Sequence, residues 1–343
     1  GAYPFCPFCL RRGGPRNGPC CDSLMQGVLK RSSLAVIRWF DSWAGTSNDK
    51  DFKPTEAISA SVAKARNIDW GRVVPFVALH LSCLFVFAVG FSWVALLTGV
   101  ALYVIRMFGI TAGYHRAYKT SRAGQFCLAL LGAGAAQRGP LWWAAHHRHH
   151  HKHSDDPLDI HSPKQQGFLW SHIGWVIDRT NFRSQIELIK DYAKFPELRF
   201  LDRFDILVPV LLGVSVFLFG VALEAFAPGL GTNGWQMLVW GFVVSTICLY
   251  HGTFTVNSLA HVVGKRRFAT KDTSRNNWFI AIITLGEGWH NNHHHYQASA
   301  RQGFYWWEVD MSYYALKTLS VFGLVWDLRP VPKRALSLRR IED

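Results

Sequence analysis

Histidine is the residue type whose placement in this sequence could do chemistry. Fifteen of the 16 histidines lie between His115 and His295; six fill the eight positions from His146 to His153, and four lie between His290 and His295. His147, His150 and His151 stand at i, i+3 and i+4, and His290, His293 and His294 repeat that offset. On a helix such offsets bring side chains to one face, so each triplet converges on one point or two adjacent points. Asn257 and His261 are four apart in the same way. The bland alternative is a His-rich solvated loop holding metal loosely; the same offset occurring twice, each time beside an apolar stretch, argues against it. His80, His172 and His251 stand alone and read as ordinary packed residues.

Imidazole suits zinc, copper, iron and nickel, so ligand type does not select the metal. Number does more. His115, His147, His150, His151, His261, His290, His293 and His294 are eight candidates, and Asn257 is a ninth through its amide or a water. Eight exceed one tetrahedral zinc and suit two metals with open positions. Glu287-Gly-Trp-His290 matches the Glu-x-x-His motif of carboxylate-bridged di-iron bundles, which need a second copy and two further Glu. Only one copy is present, and a mostly-histidine site remains.

The elements that must position these residues are membrane helices. The 343 residues are 49% apolar and only 17% charged, below the roughly 25% usual in soluble domains. A formal charge of +14 admits nucleic acid or an anionic membrane surface as partner. Four apolar stretches choose the membrane and leave no nucleic-acid role: Val73 to Gly90, Phe91 to Gly113, about Ile206 to Phe226, and Trp235 to about Thr255. Each approaches the ~20 residues a span requires, and Gly90-Phe91-Ser92 is the expected turn of the first pair. Residues 113–204 carry 13 Lys and Arg, whereas Leu223 to Trp235 carries none. By the positive-inside rule the basic segments, both termini and the histidines should be cytoplasmic. Gln125 to Ala136 is apolar but too short to span, and Lys190 to Phe204 reads as an amphipathic surface helix. Residues 1–70 form an uncertain N-terminal arm, 71–330 the membrane domain and 331–343 a basic tail. Cys6, Cys9, Cys20 and Cys21 lack the spacing of a strong zinc motif.

Gly109-Ile-Thr-Ala-Gly-Tyr-His115-Arg116, His147-Arg-His-His150-His151, Asn257-Ser-Leu-Ala-His261 and Gly286-Glu-Gly-Trp-His290-Asn-Asn-His293-His294 resemble, in order and spacing, the histidine boxes of membrane fatty-acyl desaturases. The closest resemblance is to the Δ9 (stearoyl-CoA type) acyl-CoA group, and it runs from about residue 70 to 330. Gly167-Phe-Leu-Trp-Ser-His-Ile-Gly-Trp175 resembles that group's segment after the second box. The resemblance implies an all-α integral membrane protein with four transmembrane helices and a cytoplasmic helical cap holding a histidine-rich di-iron site. It implies two iron ions, a narrow acyl tunnel, a saturated acyl-CoA or acyl-lipid substrate, O2, and electrons from a separate donor such as a cytochrome b5, ferredoxin or reductase. Iron reaches the oxidation states needed to attack an unactivated methylene; zinc has no redox chemistry. Asp155, Asp156, Asp159 and Glu287 are candidates to orient the rings from outside; Trp142, Trp143 and Phe254 are candidates for the tunnel wall.

The first box departs from the family pattern. Members usually carry a second His about five residues after the first; here His115-Arg-Ala-Tyr-Lys-Thr120 is followed by no His before His146. One of nine expected imidazoles is missing, which predicts iron occupancy nearer one than two per chain and weak activity. The rival readings are a hydroxylase on the same scaffold, an inactive member, and a metal transporter. Transport is disfavoured because the spans are nearly free of ionisable ligands.

Overall fold

The structure, a computed structural model, describes residues 37, 40–44, 68 and 70–341. The cysteines of the N-terminal arm lie outside the described residues. Among the described residues the architecture is helical apart from one two-stranded ribbon, β1 (Lys119–Thr120) with β2 (Val325–Trp326).

Among the described residues, three helices are long and apolar enough to cross a membrane: α2 (Trp93–Gly113), α6 (Leu207–Phe226) and α7 (Gly234–His261). The first expected span is also helical, as α1 (Trp70–Ser82) continued by a 3-10 turn at Cys83–Phe85 and a last turn at Val86–Val89. Its apolar part, Val73–Val89, is 17 residues long, about 26 Å at 1.5 Å per residue, just under the ~30 Å hydrocarbon layer. Gly90-Phe91-Ser92 is the non-helical turn expected between α1 and α2, with Gly90 at φ 73°. Only glycine holds that conformation without strain. Ser92 then caps α2 by accepting from the Ala95 amide, and Trp240 Nε1 donates to the Gly90 carbonyl from α7.

Close backbone approaches fix the helices against one another. A Cβ on Gly109 of α2 would lie 2.4 Å from the Gly132 nitrogen of α3 (Arg122–Ala133), and one on Gly99 would lie 2.6 Å from the Trp240 carbonyl oxygen. The short apolar helix expected at Gln125–Ala136 is therefore a buttress of α2. Arg106, the one cation within α2, is buried; it donates to Thr246 Oγ1 at 2.7 Å, to Ser245 and to the Gly134 carbonyl, joining α2, α7 and the end of α3.

Two further helices carry the histidine triplets. α4 (Pro140–His153) starts with Pro at its first position, where a missing N–H costs nothing. Its first turn is held by Asp202 of α5 (Pro196–Arg203), whose carboxylate accepts from the Trp142 amide at 2.7 Å, Trp43 Nε1 at 2.8 Å and Ser184 Oγ at 2.6 Å. The stretch expected as one surface helix over Lys190–Phe204 is two pieces, Lys190–Ala193 and α5. Pro196 opens the second piece because its ring disfavours helical geometry in the preceding residue, and Leu198 and Leu201 face the core under α4. The second triplet sits on α9 (His290–His295), reached from α8 (Trp278–Ile283) through Gly286 at φ 125°. α10 (Met311–Val321) packs on α2, and the tail returns against the α7–α8 loop, with Ala269 N–H donating to the Arg339 carbonyl.

Gly231, between α6 and α7, and Gln297, after α9, are exposed. In a background without native cysteines, single cysteines at these two positions are expected to label from opposite sides of the membrane. Labelling of both by the same impermeant reagent on one side would overturn the orientation expected from the Lys and Arg distribution.

Candidate metal centre

The structure gathers the eight histidines singled out in the sequence into two adjacent groups of four, His115, His147, His151 and His293 in the first and His150, His261, His290 and His294 in the second. The two triplets interleave. From α4, the i and i+4 members His147 and His151 go to the first group and His150 to the second; from α9, His293 goes to the first group while His290 and His294 go to the second. Neither helix builds a site alone. The groups touch along the seam, with the His151 and His294 ring centroids 4.6 Å apart.

Within each group ring nitrogens face one another. His293 Nε2 is 2.9 Å from His115 Nε2 and 2.8 Å from His151 Nε2, and His151 Nε2 is 2.8 Å from His147 Nε2. His261 Nε2 is 3.1 Å from His290 Nε2. A neutral imidazole carries one N–H and one lone pair, so three mutually facing nitrogens cannot all be satisfied by hydrogen bonds among themselves. Among the described residues His294 Nε2, which is buried, has no partner. Converging, unpartnered nitrogen lone pairs fit a bound metal ion.

Carboxylates hold the far side of several rings. His294 Nδ1 lies 2.7 Å from Asp272, His150 Nδ1 3.1 Å from Asp159, and His261 Nδ1 3.4 Å from Asp155. His115 Nδ1 pairs with Glu287, which also takes the Arg116 guanidinium at 2.8 Å and the Gln302 amide at 2.9 Å. Three of the four carboxylates proposed from sequence, Asp155, Asp159 and Glu287, thus contact a ring of the groups; Asp156 instead contacts His153. Asp272 was missed because it stands on the α7–α8 loop, 22 residues from His294. Glu287 belongs to this outer layer, which explains why the lone Glu-x-x-His match carries no di-iron bundle.

Burial foremost, then the neighbouring rings, holds His147, His151, His290 and His293 well below the ordinary histidine pKa. Burial also lowers His294 to about 4 against the pull of Asp272. In His150 burial works against protonation, but Asp159 outweighs it. Burial opposes ionisation of Asp272 and Asp155, yet their contacts to His294 and His261 hold both carboxyls below the usual range. Metal ligands must be deprotonated, and most of these rings are already neutral near pH 7.

The remaining residues sort by contact. Asn257 lies on the wall of a 510 Å³ cavity beside His147, Trp142, Trp143 and Phe254. The four spare histidines near the boxes do not fill the place of the missing first-box histidine. His146 stacks on Trp142, His149 reaches the Leu158 carbonyl, His153 meets Asp156, and His295 meets the Ala335 carbonyl. Asn291 and Asn292, silent in the sequence, are fully buried pins: Asn291 Oδ1 accepts from the Arg267 and Phe268 amides, and Asn292 Nδ2 donates to Glu308. His80, His251 and His172, read as isolated, form a chain at 3.3 and 3.0 Å that ends on Ser258. Their separation in sequence, across three elements, hid it.

The fatty acid desaturase family profile matches residues 91–321. This chain belongs to that family. It is 36% identical to an sn-1 stearoyl-lipid 9-desaturase of Anabaena variabilis, over 78% of this chain and 96% of that protein. It is 35% identical to acyl-CoA 5-desaturase AL21 of Anemone leveillei, over 80% and 88%. It is also 36% identical to a chloroplastic palmitoyl-monogalactosyldiacylglycerol delta-7 desaturase of Arabidopsis thaliana, over 79% and 71%. The chain is therefore an oxidoreductase of lipid metabolism with histidine clusters able to bind metal.

His294→Ala removes a buried ring aimed into the second group and is expected to lower bound iron, measured by mass spectrometry of the purified protein. His80→Ala, whose ring touches Phe76, Tyr250 and His251 and none of the eight histidines, should leave it unchanged. Equal loss from both would refute the assignment.

Proposed function

We propose that this desaturase inserts a cis double bond, at Δ9, into a saturated long-chain acyl group. The reaction uses O2, two irons held by the eight histidines with Asn257 alongside, and two electrons from a separate donor. The observation that carries this reading is the continuity of the 510 Å³ apolar cavity with the first histidine group, through His147 on its wall. That volume falls within the ~300–1,000 Å³ of small-molecule sites. Bound iron supplies an oxidant strong enough to take hydrogen from an unactivated methylene. The chain's own residues do the rest. Trp142, Trp143 and Phe254 hold methylenes by apolar contact and keep water away, and the outer carboxylates fix each ring so that its inner nitrogen faces the centre.

The resemblance of the histidine boxes points to an acyl-CoA carrier, while the named relatives include both CoA and lipid desaturases; the second reading, a membrane lipid carrier, rests on the cavity wall. Among the wall residues, Pro75 of α1 and Ile206 and Val210 beside and on α6 are also exposed to the outside. Their neighbours Val74, Val77, Leu207 and Leu211 are exposed apolar side chains of the same elements. The cavity wall thus reaches the apolar outer surfaces of two helices, near the start of each. Among the described residues, the one Lys or Arg on the wall is Arg138, which donates to the Phe182 carbonyl and faces Asp205. An acyl chain already in the bilayer reaches such a wall sideways, its head group staying at the interface.

Expression in a desaturase-deficient host, with gas chromatography of the total fatty acids, is expected to reveal a Δ9 monounsaturated product. Labelled stearoyl-glycerolipid and labelled stearoyl-CoA supplied separately to the membranes then decide the carrier. A hydroxylated product, or none in cells where the chain holds iron, would refute desaturation.

A further inference from the structure

The two histidine groups are unequal, and the inequality lies in what stands behind the rings. In the second group three of the four histidines have an aspartate on the outer nitrogen, Asp159 for His150, Asp155 for His261 and Asp272 for His294. Among the described residues, no Lys or Arg pairs with any of these three. In the first group only His115 has a carboxylate, Glu287, and that charge is shared with Arg116. Among the described residues, no carboxylate stands within ion-pair distance of His147, His151 or His293; an unpartnered buried Nδ1 occurs once in each group, at His151 and at His290. All four residues of the second group are buried, whereas His115, His147 and His151 of the first keep some exposure as whole residues, although the His115 side chain is itself buried, and His147 faces the cavity.

Each difference acts in one direction. An outer carboxylate fixes ring orientation and raises ligand basicity, and three unneutralised carboxylates favour a cation electrostatically in a poorly solvated interior. Fewer open paths from solvent slow release. The first box, short by one histidine, feeds the weaker group through His115. We propose that the metal centre loads and empties in order: the second group binds its iron first and holds it, and the first group carries the exchangeable iron beside the acyl cavity. This rests on the di-iron reading above and goes beyond it by ranking the sites. Asp155, Asp159 and Asp272 then act as positioning residues for the retained ion.

The test is chelation of the full-length protein, reconstituted anaerobically with ferrous iron in detergent and mixed with bipyridine, with release followed by absorbance. Two phases are expected, the fast one no larger than the slow one because the first group is the one left underfilled. His147→Ala should abolish the fast phase alone and His294→Ala the slow one. Asp272→Asn should accelerate the slow phase by about 10- to 100-fold, the usual effect of losing an outer partner, and leave the fast phase unchanged. Asp155→Asn is the second variant should Asp272→Asn fail to fold by circular dichroism. If the protein retains one iron from the outset, His294→Ala should remove it and His147→Ala should not. Release of both irons in one phase, or acceleration of the fast phase by either Asp variant, would overturn the ranking while leaving the di-iron reading intact. A wild-type protein that takes up no iron would overturn both.

Discussion

The centre depends on two helices facing each other with histidines at i, i+3 and i+4, each helix giving two rings to one group and one to the other. This arrangement demands a fixed rotation and depth for both helices. A quarter turn of either would carry its rings out of register with the partner. Much of the surrounding structure serves that constraint: Asp202 pins the start of α4, Asn291 and Asn292 pin α9, and the glycine approaches along α2 set the distance between the membrane helices and the elements above them.

Sequence reading located the grouping of the histidines better than its support. Offsets of three and four residues are local, and a helix converts them directly into shared faces, so the eight histidines were legible. Apolar runs are equally local, and the turn at Gly90-Phe91-Ser92 follows from a glycine between two such runs. What escaped depends on chain returning from a distance. Asp272 meets His294 across 22 residues, Asp202 meets Trp142 across 60, and the His80–His251–His172 chain joins three separate elements. Polar residues such as Asn291 and Asn292 carry no periodic signal and read as spacers until their amide partners are seen. The helix over Lys190–Phe204 misled because an amphipathic pattern continues across Pro196 although the backbone does not.

The outer layer also accounts for the mixture of charge and burial around the site. Asp155, Asp159, Asp272 and Glu287 would be costly inside a protein if unpaired, and each is paired with a ring. The same contacts that offset their burial aim the opposite ring nitrogens inward. Carboxylate burial and ring orientation are thus one arrangement, and neither can be altered without the other.

The His290–His295 helix has six residues, far fewer than the ~12–15 an isolated helix needs to persist in water. It exists because Asn291 is held by the backbone at residues 267 and 268 and Asn292 by Asn276, Glu308 and the Gln302 carbonyl. Three of the eight rings therefore have no defined position until the chain as far as Glu308 has emerged and folded back. The nascent polypeptide can place its early helices in the bilayer well before that moment. Formation of the long apolar helices and assembly of the histidine cluster thus have different requirements, and the second must wait for the C-terminal quarter of the protein.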